Sequence, residues 1–372
     1  MGNPSQSGYG ISQVAKASRI AAPILPYLPR MPRDYRPKIG LIGAGGITEY
    51  HLRNYKLLGL DIVAICNPSR ERAEKRRVEF YPEAAVYSDH REVLARDDID
   101  VVDIATHPAP RVQIIEDALR AKKHVLSQKP FALHLDTVTR LSDLADQQGC
   151  RLAVNQNARW APHFSYLNQA IRSGLIGDVA TIDFNVQFDH SWTLHTPFNE
   201  MHHLILFDFA VHWFDIATVF MEGRAARSVS ANVNRSAEQT IKPPSLAQII
   251  VDYGDAQVRM SFNALVKHGQ EDRTTICGSL GTLRSFGPSL TEQTVTLHTV
   301  AGEASPQLDG NWFVNGFQGS MAELLCAIDE NREPSNSARN NLRTLELCFA
   351  AIASANDGQP KIPGSVRSIN SV

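Results

Sequence analysis

Between Lys38 and Asn155 the chain alternates two kinds of segment, and this alternation restricts the fold more than any other feature. Short apolar runs (KIGLIG, LDIVAIC, IDVVDIAT, KHVLSQ, CRLAVNQ) are separated by longer amphipathic ones such as GITEYHLRNYKLLG, RVQIIEDALRAKK and LHLDTVTRLSDLADQQG. The first kind predicts buried strands and the second helices. Strand and helix in strict alternation predict a doubly wound parallel sheet with both faces covered, an α/β fold.

The rest of the chain reads differently. After a helix over roughly Pro162 to Ser173 come VATIDFNVQFDHSW, an apolar run from Leu204 to Met221, and then RSVSANVNRS, AQIIVDYG, AQVRMSFNAL, RTTICGS, GTLRSFG and QTVTLHTV. Period-2 patterns divided by turn signals such as YGDAQ and GSLGT predict a second, mainly antiparallel sheet. Two helices close the chain. With 372 residues, two cores are expected. The division predicted is an arm over 1–36, a first domain over 37–157 and a second over 158–372, whose last helices can pack back on the first. The arm is polar, then rich in proline (Pro23, Pro26, Pro29, Pro32, Pro37), which favours extended backbone.

Composition excludes several function classes. A formal net charge of -2 gives no electrostatic case for nucleic acid or an anionic membrane surface. The five cysteines form no CxxC or Cys/His cluster, so no metal site and no disulfide framework is expected, and a reducing, cytoplasmic setting is. The N-terminus does not read as a secretory signal. Leu204 to Met221 is long enough to span a membrane, but Asp208, His212 and Asp215 at its middle predict a buried helix of a soluble protein.

Three stretches carry chemistry. GAGGIT (Gly43 to Thr48) lies between a predicted strand and a predicted helix. There the glycines permit a tight turn and let backbone approach a pyrophosphate at the helix N-terminus. This points to a dinucleotide, with Gly43, Gly45, Gly46 and Ile47 around it; the alternative is a glycine turn between strand and helix in an unrelated α/β fold. The second strand ends in Asn67 rather than the acid that accepts ribose hydroxyls, and Ser69 and Arg70 follow. Either these residues hold a 2′-phosphate, favouring NADP over NAD, or Ser69 is a helix cap and Arg70 a solvated helix residue. HVLSQKPFAL ends a strand in Gln128, Lys129 and Pro130. Ligands of such sheets sit at the carboxyl ends of strands, which brings Lys129 to the cofactor, although a lone lysine there is more often a surface residue. Finally, FDFAVHWFD places Asp208, His212 and Asp215 at i, i+4 and i+7, one stripe of a helix. Asp208 can accept from His212 and orient it as a general base; the alternative is a structural Asp–His pair.

Together these stretches resemble the Gfo/Idh/MocA oxidoreductase family. GAGGIT, DVVDIATHPAP, ALRAKKHVLSQKPFAL, NQNARWAPHF with RSGLIGDV, FDFAVHWFD, GFQGSMAELLCAIDENREP and LELCFAAIASANDGQP match it in order, over about residues 38 to 362. The resemblance implies an N-terminal Rossmann domain and a C-terminal domain with a large open sheet that forms a homodimer or homotetramer. It implies NAD or NADP as cofactor and a sugar, glycoside or cyclitol as substrate. Lys129, His212 and Asp208 fall on the catalytic positions. Thr106, His107, Gln128 and Asn157 join the cofactor residues, and Asn157, Arg159, Trp160 and Asp215 fall among the substrate-binding ones. Gln128 replaces the family's Glu, Asn67 its usual acid, and Arg111 a common histidine. Two rivals share these features: a dinucleotide-binding regulator without turnover, and a glycoside-cleaving enzyme that passes through a transient keto-sugar.

Overall fold

A computed structural model describes residues 18–369. The first sheet contains β1 (Lys38–Ile42), β2 (Asp61–Cys66), β3 (Ala85–Tyr87), β4 (Val101–Ile104), β5 (His124–Ser127) and β6 (Leu152–Val154). They pair in the order β3-β2-β1-β4-β5-β6, all parallel. This is the doubly wound sheet that the alternation predicts. The order reverses direction between β1 and β4, and a crevice opens there at the strands' carboxyl ends. Gly43 turns the chain just after β1 with φ +113°; a Cβ there would lie 2.5 Å from the Ala105 carbonyl oxygen, so only glycine fits.

The second sheet has eight strands: β7 (Val179–Gln187), β8 (Ser228–Asn234), β9 (Leu246–Asp252), β10 (Gln257–Asn263), β11 (Glu271–Gly278), β12 (Gly281–Gly287), β13 (Thr294–Thr299) and β14 (Gly302–Ala304). Their order is β14-β13-β12-β11-β7-β10-β9-β8, antiparallel except for the β7–β10 pair. One face is buried under helices; the other is open, with Ile250 and Phe286 exposed on it. The helix Trp312–Asp329 returns to the first sheet, where Met321, Leu324 and Leu325 share a core with Leu41, Leu52 and Leu126. The two sheets are thereby tied by a helix from the far end of the chain.

Residues 1–17 of the arm lie outside the described residues. Its remainder is extended and lies on its own chain: the carbonyls of Pro23 and Tyr27 accept from Tyr166 Oη (2.9 Å) and Ser165 Oγ (2.6 Å). Among the described residues no helix is long and apolar enough to cross a membrane.

One core position has a measurable consequence. Asp272, on β11, is buried, and neither carboxylate oxygen has a hydrogen-bond partner among the described residues. Burial pushes its pKa up to about 8. The unfolded chain releases that proton near the ordinary carboxylate range, so this group costs stability as pH rises from about 4 to about 8. Asp272→Asn is therefore expected to stabilise the protein by about 2 kcal/mol or more near pH 9, and by little near pH 4. Urea unfolding midpoints at the two pH values test this; an equal shift at both would refute it.

Candidate active site

A cavity of about 970 Å³ runs from the glycine loop, past the ends of β4 and β5, to the inner face of the second sheet. Gly43, Gly45, Gly46, Ile47, Asn67, Thr106, His107, Gln128, Lys129, Asn157, Asp208 and His212 all line it. The glycine-loop backbone opens onto it at the start of the helix Thr48–Leu57, and a Cβ at Gly45 or Gly46 would meet no atom within 4 Å. An unobstructed backbone at a helix N-terminus suits a pyrophosphate.

Lys129 leaves the end of β5 and crosses the cavity to the second domain. Its Nζ donates to Asp208 Oδ1 (3.1 Å) and to the Asp208 carbonyl oxygen (2.9 Å). The expectation that Asp208 orients His212 is corrected here: its carboxylate goes to Lys129, and His212 Nδ1 has no hydrogen-bond partner among the described residues. Burial, and then the charge of Lys129, hold the His212 imidazole well below its ordinary pKa. At neutral pH it is an uncharged base beside an ammonium donor.

The apolar run is also not one continuous α-helix. Ile205–Phe209 is a π turn, with Ala210 N donating to the Ile205 carbonyl (2.9 Å), and the α-helix Val211–Phe220 follows. The wider turn breaks the 3.6-residue phase on which a shared stripe of three depends. Asp208 and His212 face the cavity, and Asp215 does not line it. Asp215 is fully buried and takes two hydrogen bonds from Arg159, from Nε and Nη2, both 2.6 Å, and one from Thr344 Oγ1 (2.9 Å). Arg159 and Asp215 therefore form an internal ion pair rather than a sugar-binding pair. Trp160 is likewise absent from the cavity wall; its ring fills the space above Gly319, where a Cβ would lie 2.1 Å from its Cγ.

At the cofactor end, Ser69 and Arg70 do not line the cavity. Arg70 turns towards Glu74 (3.5 Å) and the Val86 carbonyl (3.3 Å), as a solvated helix residue would. Asn67 Oδ1 accepts from Ala44 N (3.2 Å) and braces the glycine loop. Arg72, which sequence reasoning passed over, lines the cavity instead. Its position two residues into a charged helix gave no signal to separate it from its neighbours.

A buried network beneath Lys129 was also invisible in the sequence. His51 Nδ1 donates to Asp103 (2.6 Å), which also accepts from Tyr55 Oη (2.7 Å). His51 Nε2 accepts from Gln128 Nε2 (3.1 Å) and Asn155 Nδ2 (3.3 Å), and Gln128 Oε1 accepts from Lys129 N (2.7 Å). These partners assign the tautomer, and they account for Gln128: an amide can donate to an accepting ring nitrogen, and a carboxylate cannot. Arg111 lies fully buried under the same loop and donates to the carbonyls of Thr106, Gln128 and Pro130. With only carbonyl partners, burial lowers its pKa to about 9.

Comparison with known proteins gives the family. The model of the oxidoreductase family with an NAD-binding Rossmann fold matches residues 37–156, and the GFO/IDH/MocA C-terminal domain matches 164–284. The chain belongs to the GFO/IDH/MocA oxidoreductase family. It is thus a nicotinamide-dinucleotide-dependent oxidoreductase. Among family members, D-apiose dehydrogenase of Paraburkholderia graminis is 29% identical, the match covering 87% of this chain and 89% of that protein. Myo-inositol 2-dehydrogenase of Thermotoga maritima is 23% identical, over 84% and 95%. An oxidoreductase from Agrobacterium radiobacter, solved with NAD+, L-tartaric acid and magnesium, superimposes with a TM-score of 0.80 at 24% identity, over 89% and 99%.

Proposed function

We propose that this oxidoreductase acts on a secondary ring hydroxyl of a sugar, glycoside or cyclitol, or runs the reverse reaction. The observation that carries this reading is the meeting of Lys129 and His212 on one wall of the dinucleotide cavity. His212, uncharged at neutral pH, takes the hydroxyl proton. Lys129 donates a hydrogen bond to the same oxygen as it becomes a carbonyl, and Asp208 holds that ammonium in place. The bound dinucleotide supplies the hydride acceptor. Asn157 borders the substrate, while Asp215, Arg159 and Trp160 support the wall from behind. D-apiose and inositol dehydrogenases among the relatives favour this substrate class.

Purified protein incubated with free sugars, their glycosides and cyclitols should reduce dinucleotide. Tight dinucleotide binding with no reduction by any of them would favour a regulator. Aglycone release without net reduced dinucleotide would identify a cleaving enzyme instead.

NADP is the preferred cofactor in this reading, because no carboxylate ends β2 and Arg72 borders the cavity. Arg72→Ala should weaken NADP binding by about tenfold, relative to NAD, in a fluorescence titration; a parallel loss for both would remove Arg72 from cofactor choice. Residues 37–157 form the cofactor unit and 158–372 the substrate and assembly unit. The open face of the second sheet, with Ile250 and Phe286 exposed, is where two copies of the chain would join. Five free cysteines, four of them buried, fit a cytoplasmic setting.

A further inference from the structure

The substrate end of the cavity is built for more than a polyol. The chain after β7 supplies Phe188, Trp192, Phe198, Phe209, Trp213 and Phe262 to its wall. Several meet edge to face: Trp192 and Phe198 at 5.8 Å between ring centroids, Trp213 and Phe262 at 5.3 Å. A single aromatic face suffices to stack a sugar ring; here aromatic side chains arrive from one strand, the residue just after another, two 3-10 turns and the π and α segments of one helix.

Some polar atoms on that wall are already paired. Asn263 Oδ1 accepts from Leu265 N (3.1 Å), and Thr196 Oγ1 donates to the Thr193 carbonyl (2.8 Å). Asn157 Oδ1 accepts from Trp312 Nε1 (3.1 Å). His190 Nδ1 and Trp213 Nε1 have no partner among the described residues but are shut off from the open space, so Lys129, His212, Asp208 and the side-chain amino groups of Asn157 and Asn263 are the polar groups that can meet a ligand. These groups gather at the Lys129 end, while Phe188, Trp192, Phe198 and Phe209 make the outer wall apolar, so a polar substituent placed there would lose its water without gaining a partner. At the mouth, Trp192 is 56% exposed although Phe198 and Phe209 flank it. Such an indole is poised for an apolar group that covers it.

We infer that the preferred substrate is a glycoside with an aromatic aglycone: the sugar ring reaches Lys129 and His212, and the aglycone lies between Trp192, Phe198 and Phe209. This rests on the hydride-transfer reading above. The aglycone takes no part in bond-making; it adds apolar burial to the binding of substrate.

The test uses matched pairs, methyl and phenyl β-glycosides of glucose, galactose, xylose and apiose, with the free sugars and myo-inositol, at saturating dinucleotide. For the sugar that is oxidised, kcat/KM should be about ten- to a hundredfold higher for the phenyl than for the methyl glycoside. Trp192→Ala should lower that ratio by about fivefold, and the ratio needs no correction for the fraction of folded enzyme. Equal kcat/KM within a pair, or turnover of free sugars and cyclitols alone, overturns the aglycone site and leaves hydride transfer standing. Turnover of nothing in the panel, with dinucleotide bound, overturns the hydride-transfer reading and this inference with it.

Discussion

Lys129→Met is expected to lower kcat by about 10²- to 10⁴-fold at saturating dinucleotide and substrate, and His212→Ala by a similar factor. Each removes one half of the proposed proton and charge handling: the base that receives the hydroxyl proton, or the donor at the developing carbonyl. The lysine variant also leaves Asp208 with its main partner gone, so its folding is followed separately by an unfolding midpoint. The wild-type pH profile checks the base independently. His212 sits well below its ordinary value of 6.5, so it is an uncharged base throughout the neutral range. The rate should stay level as pH falls to that value and decline only in more acid solution. If both variants keep kcat within about threefold of wild type, or if the acid limb lies above pH 6.5, these roles are wrong.

Asp215→Ala is expected to destabilise the fold by about 3–5 kcal/mol. It strips a buried guanidinium of both carboxylate bonds, leaving Arg159 with the Ser335 carbonyl and Asn340. It also removes the acceptor of Thr344 Oγ1. Uniform replacement of the pair, Arg159→Met with Asp215→Leu, should recover part of that loss, because no charge is then left alone. An unchanged urea midpoint for Asp215→Ala, with a large fall in kcat, would return Asp215 to the substrate site and contradict the ion-pair assignment.

The two aspartates of FDFAVHWFD show how far sequence reasoning reaches. It recognises that a helix apolar nearly all round is buried, and that its ionisable groups need partners. It does not reveal the π turn at Ile205–Phe209, because no residue pattern announces an i→i+5 bond. Arg70 and Arg72 pose the same problem at the cofactor end. Both begin one charged helix, and a rotation of two residues decides which guanidinium reaches the cavity.

Local pattern was enough for the architecture. Strand and helix periodicities, the glycine turn at Gly43 and the lysine closing β5 depend on near neighbours and on backbone geometry, so they are written in short stretches of the chain. Partner choice is different. Asp208 reaches Lys129 across 79 residues, Asp215 reaches Arg159 across 56, and Asp103 reaches His51 across 52. Spacing within a helix says which side chains share a face. Only the packing of that helix between two sheets selects the charge each side chain meets, because a buried ion takes the partner the closed fold brings within hydrogen-bond distance.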